Sequence, residues 1–167
     1  MTKPREMRRN DRQITDFDDV VDVLNDCQIG HIGLADDQGP YVVPISFGCE
    51  VVGGRVVVWC HGAPEGRKIS AIVKDGRVCF EAECLRQFVT DVSSACEMTA
   101  VYESVIGFGQ ARVVSDQAEA RHGLGVIVDH YAPGRSADVP VEVPAGVAVL
   151  KIELDDITGK RRPHPAA

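Results

Sequence analysis

Apolar residues along this chain follow first a helical period and then, for most of its length, a strand period. Phe17, Val20, Val21 and Leu24 share one helical face, and Asp18, Asp22, Asn25 and Asp26 another, which predicts a helix over 16–27. Thr15 with Asp18 resembles a capping box, and Asp16, Asp18 and Asp19 suit the positive end of the helix dipole. Strand signals follow at 29–35, with a glycine-ended turn at 36–39, and at 41–49. Pro44 lies inside the second of these. It cannot donate to a ladder, so it marks a bulge, an edge or a break in pairing. Gly53 and Gly54 supply the positive φ that a two-residue hairpin turn needs. The third strand, from 55, has no charge between Val56 and Cys60 and ends on His61.

The corner Gly62-Ala63-Pro64 leads into a short helix over 65–73 that should bury Ile69, Ile72 and Val73 and end at Asp75-Gly76. Residues 77–84 alternate as a fourth strand, 85–92 are a candidate fifth, and 93–99 carry no pattern. A long strand covers 102–114. Its Gly107 and Gly109 fall on one face, which permits a bend or close approach by a backbone or a ring. A helix over 117–131 sets Ala120, Leu124, Ile127, Val128 and Tyr131 on one side, and Gly123 and Gly125 weaken it by roughly 1 kcal/mol each relative to alanine. A loop with three prolines spans 132–144, a last strand 146–154, and a polar, basic tail 155–167. Consecutive strands joined by hairpins, with helices between, predict a mainly β (α+β) chain: an antiparallel sheet closing into a barrel with flanking helices. No repeat or linker divides it, so 1–167 reads as one domain.

Charge refines this picture. The net charge is −7, yet basic residues crowd a polar arm at 1–12 and the tail at 157–167, leaving 10 basic and 23 acidic residues between 13 and 159. Such a body repels a nucleic-acid backbone, so no nucleic-acid partner is expected, and the basic ends should lie on acidic surface or in solvent. The N-terminus has no apolar signal region and no run can span a bilayer, which together suggest a cytoplasmic protein. Six cysteines show no C-x-x-C and no zinc-finger spacing, so they read as reduced small hydrophobes and no metal is expected.

Chemistry has few candidates. Gly66-Arg67-Lys68 places two cations at a helix start, where free N–H groups and the dipole favour a phosphate. His61 could orient a ligand or pass a proton. His31 is comparable, whereas His122, His130 and His164 look exposed. The stretch VVPIS at 42–46 could free backbone groups to meet a heterocycle. Ser104 lacks the context of a nucleophile, and no phosphate-binding loop or dinucleotide fingerprint occurs.

The order of these pieces is more specific than any one of them. MRRNDRQIT, IGHIGLADDQGPYVVPISFGCE, VVVWCHGAPEGRKIS, RVCFE, YESVIGFGQARVV and LKIELDDITGKRR together resemble the flavin-binding split-barrel proteins related to pyridoxamine 5′-phosphate oxidase, most of all the nitroimidazole-resistance type. The resemblance implies a six-stranded split barrel and a homodimer with a flavin, FMN or else FAD, in each of two clefts between subunits. It implies that Val43, Pro44, Ile45 and Ser46 line the ring, that Trp59, Cys60 and His61 stand beside it, that Arg67 and Lys68 hold the phosphate, and that Ser104 reaches the cofactor, from the neighbouring subunit if not its own. His31 departs from the arginine more frequent at its position. The activity implied is an FMN-dependent oxidoreductase that takes electrons from a nicotinamide, NAD(P)H, or another donor and reduces small, flat acceptors such as nitroaromatics, with His61 as the catalytic proton donor. The alternatives are a non-catalytic flavin or haem carrier and an oxidase of a B-vitamin-like phosphate.

Overall fold

A computed structural model describes residues 7–163. After a 3-10 turn at Asn10–Arg12 the chain forms β1 (Gln13–Ile14), α1 (Phe17–Asp26), β2 (Gly30–Asp36), β3 (Gly39–Ile45), β4 (Phe47–Val52), β5 (Arg55–Gly62), α2 (Arg67–Lys74), β6 (Arg77–Val89), β7 (Thr99–Val113), α3 (Gln117–Tyr131) and β8 (Ala148–Arg162). The strands make one antiparallel sheet in the order β3-β2-β6-β7-β8-β5-β4, with β1 paired to β8. Its two edges, β3 and β4, are joined through the single residue Ser46. The sheet therefore curls into a barrel whose edges meet in the chain but not in a ladder, which is the split barrel.

Among the described residues the strands number eight rather than six. The expected strand at 41–49 is two, broken at Ser46, and the two-residue β1 adds another. Pro44 pairs opposite His31 on the edge strand β3, where its missing N–H costs no ladder bond on the open side. The candidate fifth strand at 85–92 is the continuation of β6 past a bulge between Leu85 and Gln87. The largest revision is at the C-terminus. The expected tail is strand up to Arg162, because Tyr102 to Phe108 of β7 need a partner on that side and find it in residues 156–162. Arg161 there meets Glu103 and Asp19, so this part of the basic end lies on acidic surface. Glu103 also receives Arg86, which bonds Asp26 of α1 in turn. Residues 1–6 and 164–167, with Lys3, Arg5 and His164, fall outside the described part.

Period-2 burial explains the core. Val56, Val58 and Cys60 of β5 point inward with Phe47, Phe80, Val105, Leu150 and Ile152, and α1 and α2 add Val20, Val23, Leu24, Ile69, Ala71 and Ile72 to that cluster. Val57 and Trp59 point outward, into a second cluster under α3 with Ala120, Ile127 and Val149. β5 is thus covered on both faces, which accounts for its unbroken apolar run. Val73, expected in the core, is 74% exposed on the far side of α2. The cap of α1 is Asp16, which accepts from the Asp18 N–H, rather than Thr15. At Gly109 an added Cβ would lie 1.9 Å from the Glu153 carbonyl oxygen, beside a bulge at Phe108/Gly109. Close approach by a backbone, one of the readings above, is the reason for that glycine.

Candidate functional site

Three helices begin differently. α1 and α3 are capped by the carboxylates of Asp16 and Asp116. α2 starts at Gly66, which has φ +113° and no side chain to cap with, and its first turn holds no acid but two cations, Arg67 and Lys68. Positive charge there adds to the positive end of the dipole instead of offsetting it, so the segment costs stability unless an anion arrives. Arg67 is already engaged. Its Nε and Nη2 donate to the two oxygens of Asp36 at 2.6 and 2.9 Å, and its guanidinium lies 4.4 Å from the Tyr41 ring centre. Those hydrogen bonds hold the Asp36 carboxyl below its usual range. Lys68 has no hydrogen bond or ion pair among the described residues. It folds back on the end of β5, with Nζ 3.0 Å from where a Cβ on Gly62 would stand.

His61 is exposed at that same end of β5, opposite Val149. Phe47 pairs with Cys60, so Ser46, one residue earlier, stands beside His61 at the end of the β4–β5 ladder. Ser46, His61 and Lys68, which separate stretches of sequence proposed, thus all lie at this end of β5, with Lys68 on the face of Cys60 and Gly62 and the His61 side chain on the opposite one. Pro44 and Ser46 are exposed on the outer side of their segment, while Val43 and Ile45 turn inward. Trp59 and Cys60 are 2% and 0% exposed, and their backbones are laddered on both sides. They brace the strand that carries His61, and burial pushes the Cys60 thiol up to about 12 although Lys68 pulls it down. Ser104 lies on the outer face of β7 opposite Lys160, eleven positions along β8 from the Val149 that faces His61. Within one chain it belongs to the other end of the barrel.

The sheet also builds features that the sequence pattern did not disclose. His130, expected at the surface, is half-buried: its Nε2 lies 2.8 Å from the Cys27 carbonyl oxygen and its ring 4.7 Å from that of Phe47. Tyr131 donates to the Gln28 carbonyl and accepts from the Phe47 N–H, fastening α3 to the start of β4. Trp59 Nε1 donates to Glu50 at 2.9 Å. None of the six cysteines is in a disulfide; Cys27 and Cys84 have their sulfurs 3.1 Å apart, whereas Cys96 is exposed. On the outer face of β2 and β6, His31 Nδ1 is 3.0 Å from Glu81 Oε2 and 3.9 Å from Glu83 Oε2. Burial, with Glu83 beside it, pushes the Glu81 carboxyl up to about 7. These residues are 50 apart in the chain, and only the β2–β6 register joins them.

None of the helices among the described residues is long and apolar enough to cross a membrane. No curated protein sequence matches the chain. Solved structures do. A proposed 5-nitroimidazole antibiotic resistance protein of Bacteroides thetaiotaomicron is 27% identical, with a TM-score of 0.72 over 89% of this chain and 85% of that one. A flavocytochrome of Azotobacter vinelandii is 25% identical, with a TM-score of 0.78 over 96% and 74%. An FAD- and haem-binding protein of Mycobacterium smegmatis shares the fold at 24% identity, with a TM-score of 0.76 over 93% and 77%. The pyridoxamine 5′-phosphate oxidase family profile matches residues 16–161, from the first helix to the end of the last strand, and the chain belongs to that family.

Proposed function

We propose that this chain is a flavin-dependent oxidoreductase, acting as a homodimer with FMN in each of two clefts, that reduces small, flat acceptors such as nitroaromatics and 5-nitroimidazoles. The observation that carries this reading is the start of α2. An uncapped helix N-terminus with Lys68 unpaired above the end of β5 fits the phosphate of a flavin nucleotide, and α1 and α3 have no such vacancy. The likeness to a proposed 5-nitroimidazole antibiotic resistance protein supports the choice of acceptor.

A bound flavin supplies two-electron redox chemistry, with a nicotinamide as donor. The chain's own residues bind and orient. Lys68 and Arg67 hold the phosphate, Arg67 by giving up part of its hold on Asp36. Val43 to Ser46 line the ring, and Pro44 contributes a carbonyl without an N–H. His61 delivers a proton to the reduced acceptor. Ser104 reaches the ligand from the second copy, since it stands far along β8 from His61. A second copy also suits the outer face of β3, β2, β6 and β7, which none of the described helices covers and where Val42 and Ile106 are 63% and 40% exposed. FAD would use the same phosphate and ring contacts.

The visible spectrum of the purified protein is the test. A yellow protein, or one that takes up added FMN, supports the reading; a colourless one that takes up none overturns it. Anaerobic NAD(P)H should then bleach the flavin band, and His61→Ala should slow its return by a nitro compound with flavin still bound. The likeness to a flavocytochrome favours one second reading, a flavin- or haem-carrying protein without turnover, which a Soret band would identify.

A further inference from the structure

Cys27 and Cys84 are 57 positions apart, and the fold brings them sulfur to sulfur, with the Cys84 thiol donating to Cys27 Sγ at 3.1 Å. Both belong to the inner cluster under α1, away from the outer face that suits a second copy. The elements that carry them are clamped together beside the pair. Cys27 is the C-cap of α1, and the residue before it, Asp26, accepts from Arg86, two positions past Cys84. Arg86 also donates to Glu103, the cross-strand partner of Cys84 on β7. The chemistry at the start of α2 uses neither thiol.

We propose that Cys27 and Cys84 are a redox-reversible pair, closed to a disulfide by a peroxide and opened again by a thiol reductant. Exposure divides their roles. Cys84 is part-exposed, at a rim where Asp26 and Arg86 are 58% and 40% exposed, so a small oxidant reaches its sulfur first. Cys27 is wholly buried behind it. Cys84 Sγ attacks one peroxide oxygen: the S–O bond forms, the O–O bond breaks, and the other oxygen takes the thiol proton and leaves as water. The product is a sulfenic acid. Cys27 Sγ then attacks Cys84 Sγ: the S–S bond forms, the S–O bond breaks, and a second water carries off the Cys27 proton. The two sulfurs lose one electron pair between them, and the peroxide oxygens gain it. Arg86 sets a permanent cation beside both sulfurs, which favours the thiolate that starts the reaction. Burial and the Cys84 hydrogen bond push the Cys27 thiol up, which suits it to the second step rather than the first. Closure asks for a sulfur displacement of only about 1 Å, to the bonded separation of about 2 Å. It fastens β6 to the junction where the Cys27 and Gln28 carbonyls already hold His130 and Tyr131 of α3. The bond therefore staples α1, α3 and the sheet together and shortens the unfolded chain by a long loop.

Full-length protein in a Cys96→Ser background, which removes the exposed thiol, is reduced with a phosphine, freed of reductant and treated with hydrogen peroxide. Maleimide labelling under denaturing conditions, followed by peptide mass spectrometry, locates the bond. The expected result is a Cys27–Cys84 disulfide and a melting temperature about 10 °C above that of the reduced form, reversed by dithiothreitol. Cys84→Ser and Cys27→Ala should each abolish both the bond and the shift. Cys84→Ser keeps the size of a part-exposed side chain, so the reduced variant should melt close to the reduced parent, and it serves alone if Cys27→Ala does not fold. Peroxide treatment that leaves both thiols free, pairs other cysteines or runs on to a sulfinic acid overturns the proposal. So does a Cys27–Cys84 bond with no rise in melting temperature, or a rise that Cys84→Ser retains. No step of this test needs a bound flavin, so its failure leaves the reading of the α2 start as it was.

Discussion

Gly123 and Gly125 lie two residues apart in α3, yet alanine should act on them in opposite directions. In a bare helix either change would add about 1 kcal/mol. At Gly123 the new Cβ would stand 2.3 Å from Trp59 Cε3 and 2.8 Å from two further ring atoms, where ordinary contact begins near 3.4 Å. Ring or helix must therefore move by about 1 Å. The indole has little freedom to do so, being 2% exposed and tied through Nε1 to Glu50. Overpacking of this kind costs about 3 kcal/mol and a strained Trp59–Glu50 bond about 1 more, so the helix gain is outweighed and the net loss is about 3 kcal/mol. For a chain of this length that lowers the melting temperature by about 9 °C. A Cβ on Gly125 meets only the Ser136 side chain, at 3.7 Å, so Gly125→Ala should raise the melting temperature by about 3 °C. Thermal melts followed by circular dichroism give both values, and Trp59, the one tryptophan, reports its own displacement by fluorescence. A Gly123→Ala protein that melts at or above the parent would refute the close packing of α3 on β5.

Other outcomes follow from the same contacts. Lys68→Ala should weaken FMN binding about tenfold or more in a titration of the visible band, as loss of a charge-assisted bond does, with the melting temperature of the free protein nearly unchanged. Glu103 is desolvated, but its arginines win and hold its carboxyl below the usual range. A depressed folded-state value means stability that is present above the unfolded value near 4.5 and lost as pH falls through the folded one. Glu103→Gln should therefore cost about 2 kcal/mol at neutral pH and flatten the acid limb of a denaturation series; an unchanged limb removes Glu103 from acid unfolding. Ending the chain at Leu154 should abolish cooperative unfolding in urea, because Tyr102 to Phe108 would lose their partner strand.

Local pattern revealed most of the architecture because each strand from 29 onward carries its own apolar period and its own turn. It failed where the deciding contact is distant. Residues 155–162 are polar and look like a tail; they are strand because β7 runs long and offers an edge. Val73 sits on the apolar side of a short window but past the end of the buried stripe. His130 is polar in a helix whose packing face was drawn one position too narrow. At the candidate site, Lys68 and His61 were visible as residue types beside a glycine-rich corner, whereas the bond from Arg67 to Asp36 was not, since 31 positions separate the partners. The set of His31, Glu81 and Glu83 has no linear signature at all. Cross-strand register and not sequence interval brings the three side chains together.

The placing of β8 has a kinetic consequence. It pairs with β1, β5 and β7, so the strand that leaves the ribosome after all the others described occupies the middle of the sheet. Until residues 148–162 emerge, β5 and β7 present long apolar edges with nothing to pair them, and the interior lacks Leu150, Ile152 and Leu154. Folding must wait for contacts of high sequence separation and is therefore slow for a chain of this size. During that interval the nascent chain depends on chaperones, or on the acidic charge of its own body, to keep those edges from finding each other in neighbouring chains.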